Sequence, residues 1–444
     1  MRQACPLLSL LLLLTAACGS ATRPGEPPEH VVLVTVGGLR ADHTSAFLYW
    51  RETTGLPYTE NELSTGRALA IDDLAGTGVL FAQAFAPCPD PLMALRAVLE
   101  GRRAGSSAAL KSSLAGALQE EGVTTAGFAS WPSSRSWGED LAEGFGELER
   151  FESDAEAAVR AASWVESRAA GATGRRFLWV HLDGPTFPFE PGVAASNLAE
   201  RDHRTLFAEP GYEGRALGTT AFRDAVLAGE ELLESEDRQH LVSLYDGEVA
   251  EVNARISGLL DRIRLADTAA WDRTLVVLVG THGVDLFEHE GDTTYGPSEV
   301  LDDSALHVPL LIRHPASLTG RRILREVVET CDVPDTILEW MDVPGGLRPR
   351  SLLALTDTYV ERSFDGRPAL AIVHSSDEVL GSARSAAWRL SMTPDGTPQL
   401  APVEGLRQQL EDRAVDHPDV VTELSGYLDA LLSRGDPEDP GPVR

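Results

Sequence analysis

"VVLVTVGGLRADH", residues 31–43, decides the fold. A β-branched run from Val31 to Val36 stops at two glycines, and the charged Arg40-Ala41-Asp42-His43 follows at once. An apolar run without alternation is the pattern of a strand buried on both faces. In an open α/β sheet such a strand delivers its C-terminal end to the ligand crevice. Residues at that end usually carry the chemistry. Here they are Gly37 and Gly38, which have no side chain.

Outward from this stretch, apolar segments at 30–36, 124–129, 177–182, 274–280 and 308–313 read as strands. Between them, 112–122, 154–171 and 236–266 place apolar residues at helical spacing. The alternation predicts an α/β fold, a mostly parallel sheet sandwiched by helices. Residues 386–403 read as a hairpin around Pro394-Asp395-Gly396, and 417–433 as a helix, together a small C-terminal α+β subdomain. The expected division is 1–18 signal segment, 19–29 tether, 30–360 main α/β domain, 361–433 C-terminal subdomain and 434–444 polar, Pro-rich tail. The loop-rich stretch 192–216 has two readings, a cover over the carboxyl edge of the sheet or a neutral surface loop.

Asp and Glu outnumber Lys and Arg 68 to 38 across 444 residues, a formal charge of −30. No basic stripe offsets it, so nucleic acid is excluded as a partner. The N-terminus, "MRQACPLLSLLLLLTAACGS", has Arg2, an apolar run too short to span a bilayer, and small residues up to Cys18. Its ending "LTAAC" resembles a bacterial lipobox, in which the Cys is lipidated; ordinary cleavage near Ala17 is the competing reading. The expected location is therefore extracytoplasmic, with the chain anchored to a bacterial membrane by lipid on Cys18 and carried on the tether "GSATRPGEPPE". With Cys18 lipidated, Cys88 and Cys331 are left as buried thiols or as a bridge that an oxidising compartment permits.

Several segments in order resemble the sulfatase family of the alkaline phosphatase superfamily. Residues 31–43 look like its first strand and 78–102 like its nucleophile-bearing strand, loop and helix. "FLWVHLDGPTFPFEP" (177–191) resembles its third signature and 244–263 its long central helix. Residues 271–283 with 306–315 resemble its late metal-binding strand and the strand beyond; 332–344 and the C-terminal hairpin and helix also fit. The resemblance implies hydrolysis of sulfate or phosphate esters around a divalent cation, usually calcium. It also implies a nucleophile, often a formylglycine, in a Cys/Ser-x-Pro-x-Arg motif.

The residues that the resemblance assigns to chemistry are replaced. Gly37 and Gly38 stand where metal-binding Asp residues belong, Pro91 at the nucleophile and Leu95 at its arginine, with Arg96 one place late. Thr186 replaces the third signature's His, and Thr281-His282 replaces Asp-His or Asp-Asn, leaving His282 as the surviving ligand position. Calcium needs about six to eight oxygen ligands, and one imidazole with one hydroxyl cannot hold a dication out of water. No cofactor is expected unless the cation site is rebuilt.

Three functions remain open on these residues. One is an inactive sulfatase-like protein with a binding or scaffolding role, its partner a sulfated glycan or a protein. A second is an active ester hydrolase with a displaced nucleophile or a rearranged metal site. For it, Cys88 is a rival nucleophile, and "SWPSSR" (130–135) nearly spells a Ser-type motif. A rebuilt site would draw on His282, Asp285, Glu288, His289, Glu290 and His307, a set that suits zinc. The third is a glycan-binding module that stacks sugars on Trp131, Trp137, Phe187 and Phe189. Asp42 and His43 match family residues that position the first loop.

Overall fold

In the computed structural model the described residues are 27–55, 70–103, 113–169, 174–189, 203–204, 206–209, 211–288, 294–297, 300–318, 320–344, 350–356, 366–375, 378–403 and 412–434. Cys18, the tether up to residue 26 and the tail from 435 lie outside them, as does most of 192–216.

Strand β1 (His30–Val36) sits inside an eight-stranded sheet with β2 (Val79–Phe85), β3 (Thr124–Ser130), β4 (Glu147–Phe151), β5 (Arg176–Leu182), β6 (Thr274–Gly280), β9 (Leu310–Arg313) and β10 (Arg322–Glu329). A two-stranded ribbon, β7 (Asp285–Leu286) and β8 (Tyr295–Gly296), stands apart. The order is β10-β2-β9-β6-β1-β5-β3-β4, and β9 alone runs antiparallel to its neighbours. Because side chains alternate along β1, Val32, Val34 and Val36 enter one core and Val31 and Leu33 the other. The first core is closed by helices Asp154–Ala169 and Ser235–Ala266, the second by Pro91–Glu100, Leu114–Glu120 and Val333–Trp340.

The strands that carry no apolar run in the sequence, β4 ("ELERF") and β10 ("RILREVVE"), are the two edges of the sheet. Edge strands tolerate and use charge, which erases the pattern that marks central strands. The C-terminal hairpin extends to a four-stranded antiparallel sheet, with β11 (Ala369–Ser375) and β12 (Glu378–Arg384) joining β13 (Trp388–Met392) and β14 (Pro398–Pro402). Helix Pro418–Arg434 packs Leu424, Leu428 and Leu431 against this sheet. The shared core also takes in Cys88 and Ala94 from around the start of helix Pro91–Glu100.

Candidate functional site at the carboxyl edge of the sheet

Past Val36 the chain turns at Gly37 and Gly38, and Gly37 N donates to Leu182 O at 2.9 Å. The loop leaving β5 lies directly against this turn. A Cβ on Gly37 would sit 2.7 Å from Asp183 O and 3.2 Å from Thr186 Cγ2. Gly38 has φ +65, and a Cβ there would sit 2.9 Å from Pro185 O. Carboxylates at these positions would need the space that residues 183–186 fill.

That loop is held from below and from the side. Asp154 accepts from the backbone N–H groups of Asp183 (2.9 Å) and Gly184 (3.1 Å). Burial, with the Asp183 charge beside it, keeps Asp154 above the usual carboxylate range. Asp183 takes a two-pronged pair of hydrogen bonds from Arg135, at 2.7 and 2.8 Å, and a third from Thr186 Oγ1 at 3.1 Å. The hydroxyl of Thr186 is thus engaged, while its methyl faces Gly38. Arg135 remains 30% exposed and lies over the Trp131 ring.

On the other side of β1, Thr281 N donates to Val36 O at 2.8 Å, and Thr281 Oγ1 is 2.9 Å from His282 Nδ1. Burial pulls the His282 pKa down to about 3; Asp183 opposes this, and the Arg135 charge reinforces it. His181 is drawn to about 3 by burial and by Arg135. Its Nδ1 sits 2.9 Å from Thr35 Oγ1, which also accepts from Trp179 Nε1. Both imidazoles are neutral, and a guanidinium shares their cleft.

Pro91 opens its helix at a position where a missing N–H costs nothing, after Asp90, whose side chain accepts from Met93 N at 2.7 Å. Leu95 is fully buried in the second core. Arg96 turns toward Glu100, at 3.1 Å, and Asp140. Cys88 is buried under the C-terminal sheet, and burial pushes its thiol far above the range in which a thiolate forms.

The described residues among those proposed for a rebuilt metal site do not form a ligand group. Asp285 accepts from Phe287 N (3.1 Å) and Thr294 Oγ1 (2.8 Å), and Glu288 from Arg40 (2.6 Å) and Leu286 N (2.6 Å). His307 Nε2 meets Ala82 O at 2.9 Å, its ring stacked on Phe85. His289 and Glu290 lie outside the described residues. Among the described residues one group, Glu329, Cys331 and Asp332, brings three potential ligand atoms within 4.8 Å. Arg103 pairs with Glu329, and Arg350 lies 3.7 Å from Glu329 and 3.3 Å from Asp332. Two guanidinium groups already balance these two carboxylates, and Leu370 N donates to Glu329 at 3.2 Å, tying the C-terminal sheet to β10. Among the described residues, neither place fits calcium.

Two networks had no signal in the sequence. The Arg135–Asp183–Asp154 chain joins two loops and the start of helix Asp154–Ala169, and its members are too far apart for any motif. The second network centres on Asp246, fully buried in the long helix. It accepts from His43 Nδ1 (2.8 Å), Tyr49 OH (2.8 Å) and Arg51 (2.6 Å). Asp42 is held well below the carboxylate range: burial opposes this, but its two hydrogen bonds from Arg40 outweigh burial. The aromatics considered as sugar platforms are packed. Phe189 is fully buried, Trp131 and Phe187 nearly so, and Trp137 lies between Trp179 and Arg150 with Trp131 at its edge.

A family model described as Sulfatase matches residues 29–343. No curated protein sequence matches the chain significantly. Among solved structures, the chain is similar to the phosphonate monoester hydrolase of Agrobacterium radiobacter, with 17% identity, TM-score 0.64, and 92% of this chain and 95% of that one covered. It is similar to a putative sulfatase from Bacteroides fragilis, with 12% identity, TM-score 0.68 and coverage of 95% and 99%. It is also similar to a protein solved with its substrate D-glucosamine-2-N,6-O-disulfate, with 13% identity, TM-score 0.67 and coverage of 94% and 100%.

Proposed function

The chain belongs to the sulfatase family, and from that premise we propose that it is a non-catalytic member: an extracytoplasmic lipoprotein, tethered through Cys18, that binds a ligand or partner in place of hydrolysing an ester. The observation that carries this reading is the packing of residues 183–186 against Gly37 and Gly38, so close that a Cβ at either position meets a backbone oxygen at 2.7 or 2.9 Å. The helix that would carry the nucleophile adds Pro91, which has no nucleophilic atom, and Leu95, which is core. Loss of the nucleophile alone costs about a millionfold in a well-studied hydrolase. The membrane anchor is supported by the apolar run and "LTAAC" at the N-terminus.

For the ligand we favour a sulfated glycan over a protein partner. Support comes from Arg135, 30% exposed at the cleft where it pairs with Asp183, and from a structural neighbour solved with a disulfated glucosamine. The test is elemental analysis of the purified protein together with aryl sulfate and aryl phosphate turnover. The expected result is less than stoichiometric metal and no turnover above a Cys88→Ala control. Stoichiometric metal with turnover sinks the proposal. Binding to a sulfated-glycan array that weakens in Arg135→Gln supports the glycan assignment; binding unchanged in that variant removes it.

A further inference from the structure

The C-terminal sheet carries a pair of like charges that the fold does not balance. Arg384 ends β12 and Arg389 lies in β13, directly opposite it in the antiparallel register. Ala383 and Leu390, the next pair, enter the core under helix Pro418–Arg434. Alternation therefore puts both arginines on the other face, followed on that face by the pair Ser382 and Ser391. This face meets the carboxyl end of β2, where the Arg384 guanidinium lies over the Phe85 ring, 5.1 Å from its centroid. Helix Asp303–Leu306 stands beside it, and Ala305 O accepts from Gly283 N, one residue past His282, at 2.7 Å. The arginine pair thus lies at the same edge of the main sheet as the cleft.

Charge and hydrogen-bond donors are both left over here. Arg384 is 7% exposed; its Nη2 donates to Asp303 Oδ2 at 3.1 Å and its Nη1 to Ser385 O at 3.4 Å. Its Nε is buried without a partner. Arg389 is half-buried, its Nη1 is buried without a partner, and among the described residues no carboxylate pairs with it. Asp303 therefore balances one of two cations. The neighbouring acid, Asp302, is turned into its own helix, where it accepts from Ser304 N and Ala305 N. Like charges directly opposite each other on paired strands are destabilising. Burial holds the Arg384 pKa below its ordinary value; Asp303 opposes this, and the Arg389 charge reinforces it. A guanidinium has no tautomer that accepts, so every spare N–H on this pair is a donor.

We infer that Arg384 and Arg389 bind one singly charged oxyanion group, a sulfate ester borne by the ligand. Planar guanidinium forks match the oxygens of such a group, and charge-assisted hydrogen bonds of this kind are the strong ones. Two arginines less Asp303 leave one positive charge. That matches a sulfate monoester, whereas a phosphate monoester carries about −1.5 to −2 at neutral pH. That the oxyanion is carried by a glycan rests on the function proposed above; the charge excess at Arg389 does not.

The test uses the full chain, with sodium methyl sulfate as the probe. Replacing chloride by methyl sulfate at constant ionic strength is expected to raise the Tm by about 1–4 °C. Arg389→Gln is expected to abolish that rise while keeping a Tm in chloride no lower than the parent's, because it removes the opposed like charge. Arg389→Lys, which keeps the charge and loses the fork, is expected to retain part of the rise. No rise in the parent overturns the inference, as does a rise that survives in Arg389→Gln or a larger one with methyl phosphate. Crystals of the unaltered protein soaked in methyl sulfate should show the group within hydrogen-bond distance of both guanidinium groups. Water alone at that place overturns the inference, whether or not the variants fold. A methyl sulfate effect lost in Arg389→Gln, in a protein that binds no sulfated-glycan array, supports the subsite and removes the glycan reading.

Discussion

Replacing Gly38 by alanine tests the claim that the turn after β1 has no room for a side chain. The residue has φ +65, and a left-handed conformation costs a non-glycine residue roughly 1–2 kcal/mol. The new Cβ would also stand 2.9 Å from Pro185 O and 3.0 Å from Thr186 Cγ2. The loop that must give way is held by Asp154 and by the Arg135–Asp183 pair, so crowding adds about 1–3 kcal/mol. Together roughly 2–5 kcal/mol of stability should be lost. Urea unfolding monitored by circular dichroism reads this as a lower midpoint at unchanged slope. Gly76→Ala is the control. That residue is exposed in helix Ile71–Thr77 with nothing within 4 Å of its would-be Cβ, and alanine there should gain up to about 1 kcal/mol. A second arm places acids at both positions, Gly37→Asp with Gly38→Asp, and looks for stabilisation by millimolar calcium. None is expected. A Gly38→Ala midpoint within error of the parent, or a calcium-dependent shift in the doubly acidic variant, would refute the reasoning.

Two further outcomes follow from the cleft and the long helix. His282 and His181, both drawn to about 3, should show no proton-NMR titration between pH 8 and 5. The unfolded chain takes up these protons near pH 6.5, so stability should fall as pH drops from about 6.5 toward 3, and His282→Gln should flatten that slope. Asp246→Asn should cost about 3–5 kcal/mol in urea, because it breaks a buried pair and leaves Arg51 uncompensated. Asp183→Asn, at a pair 30% and 16% exposed, should cost about 1 kcal/mol. Equal losses in the two variants would show that burial does not set the difference.

The central strands were legible because burial on both faces imposes continuous apolar runs, and 30–36 and 274–280 match β1 and β6 residue for residue. The sheet edges were not legible, because a strand with one solvated side can carry Glu147, Arg150 or Arg325 without penalty. At the cleft, the substitutions at Gly37, Gly38, Pro91 and Leu95 could be read directly from the chain. What fills the resulting space could not.

The sequence by itself determined the sulfatase-like fold, and it showed glycine, proline and leucine at Gly37, Gly38, Pro91 and Leu95, because both depend on residue identity along a strand or helix. Only the tertiary structure decided what stands in their place. Arg135 and Asp183 come from two loops and Asp154 from the start of a helix, and His30 meets Arg176 only where parallel strands align. Contacts between distant segments follow from sheet order and register, which no local pattern encodes.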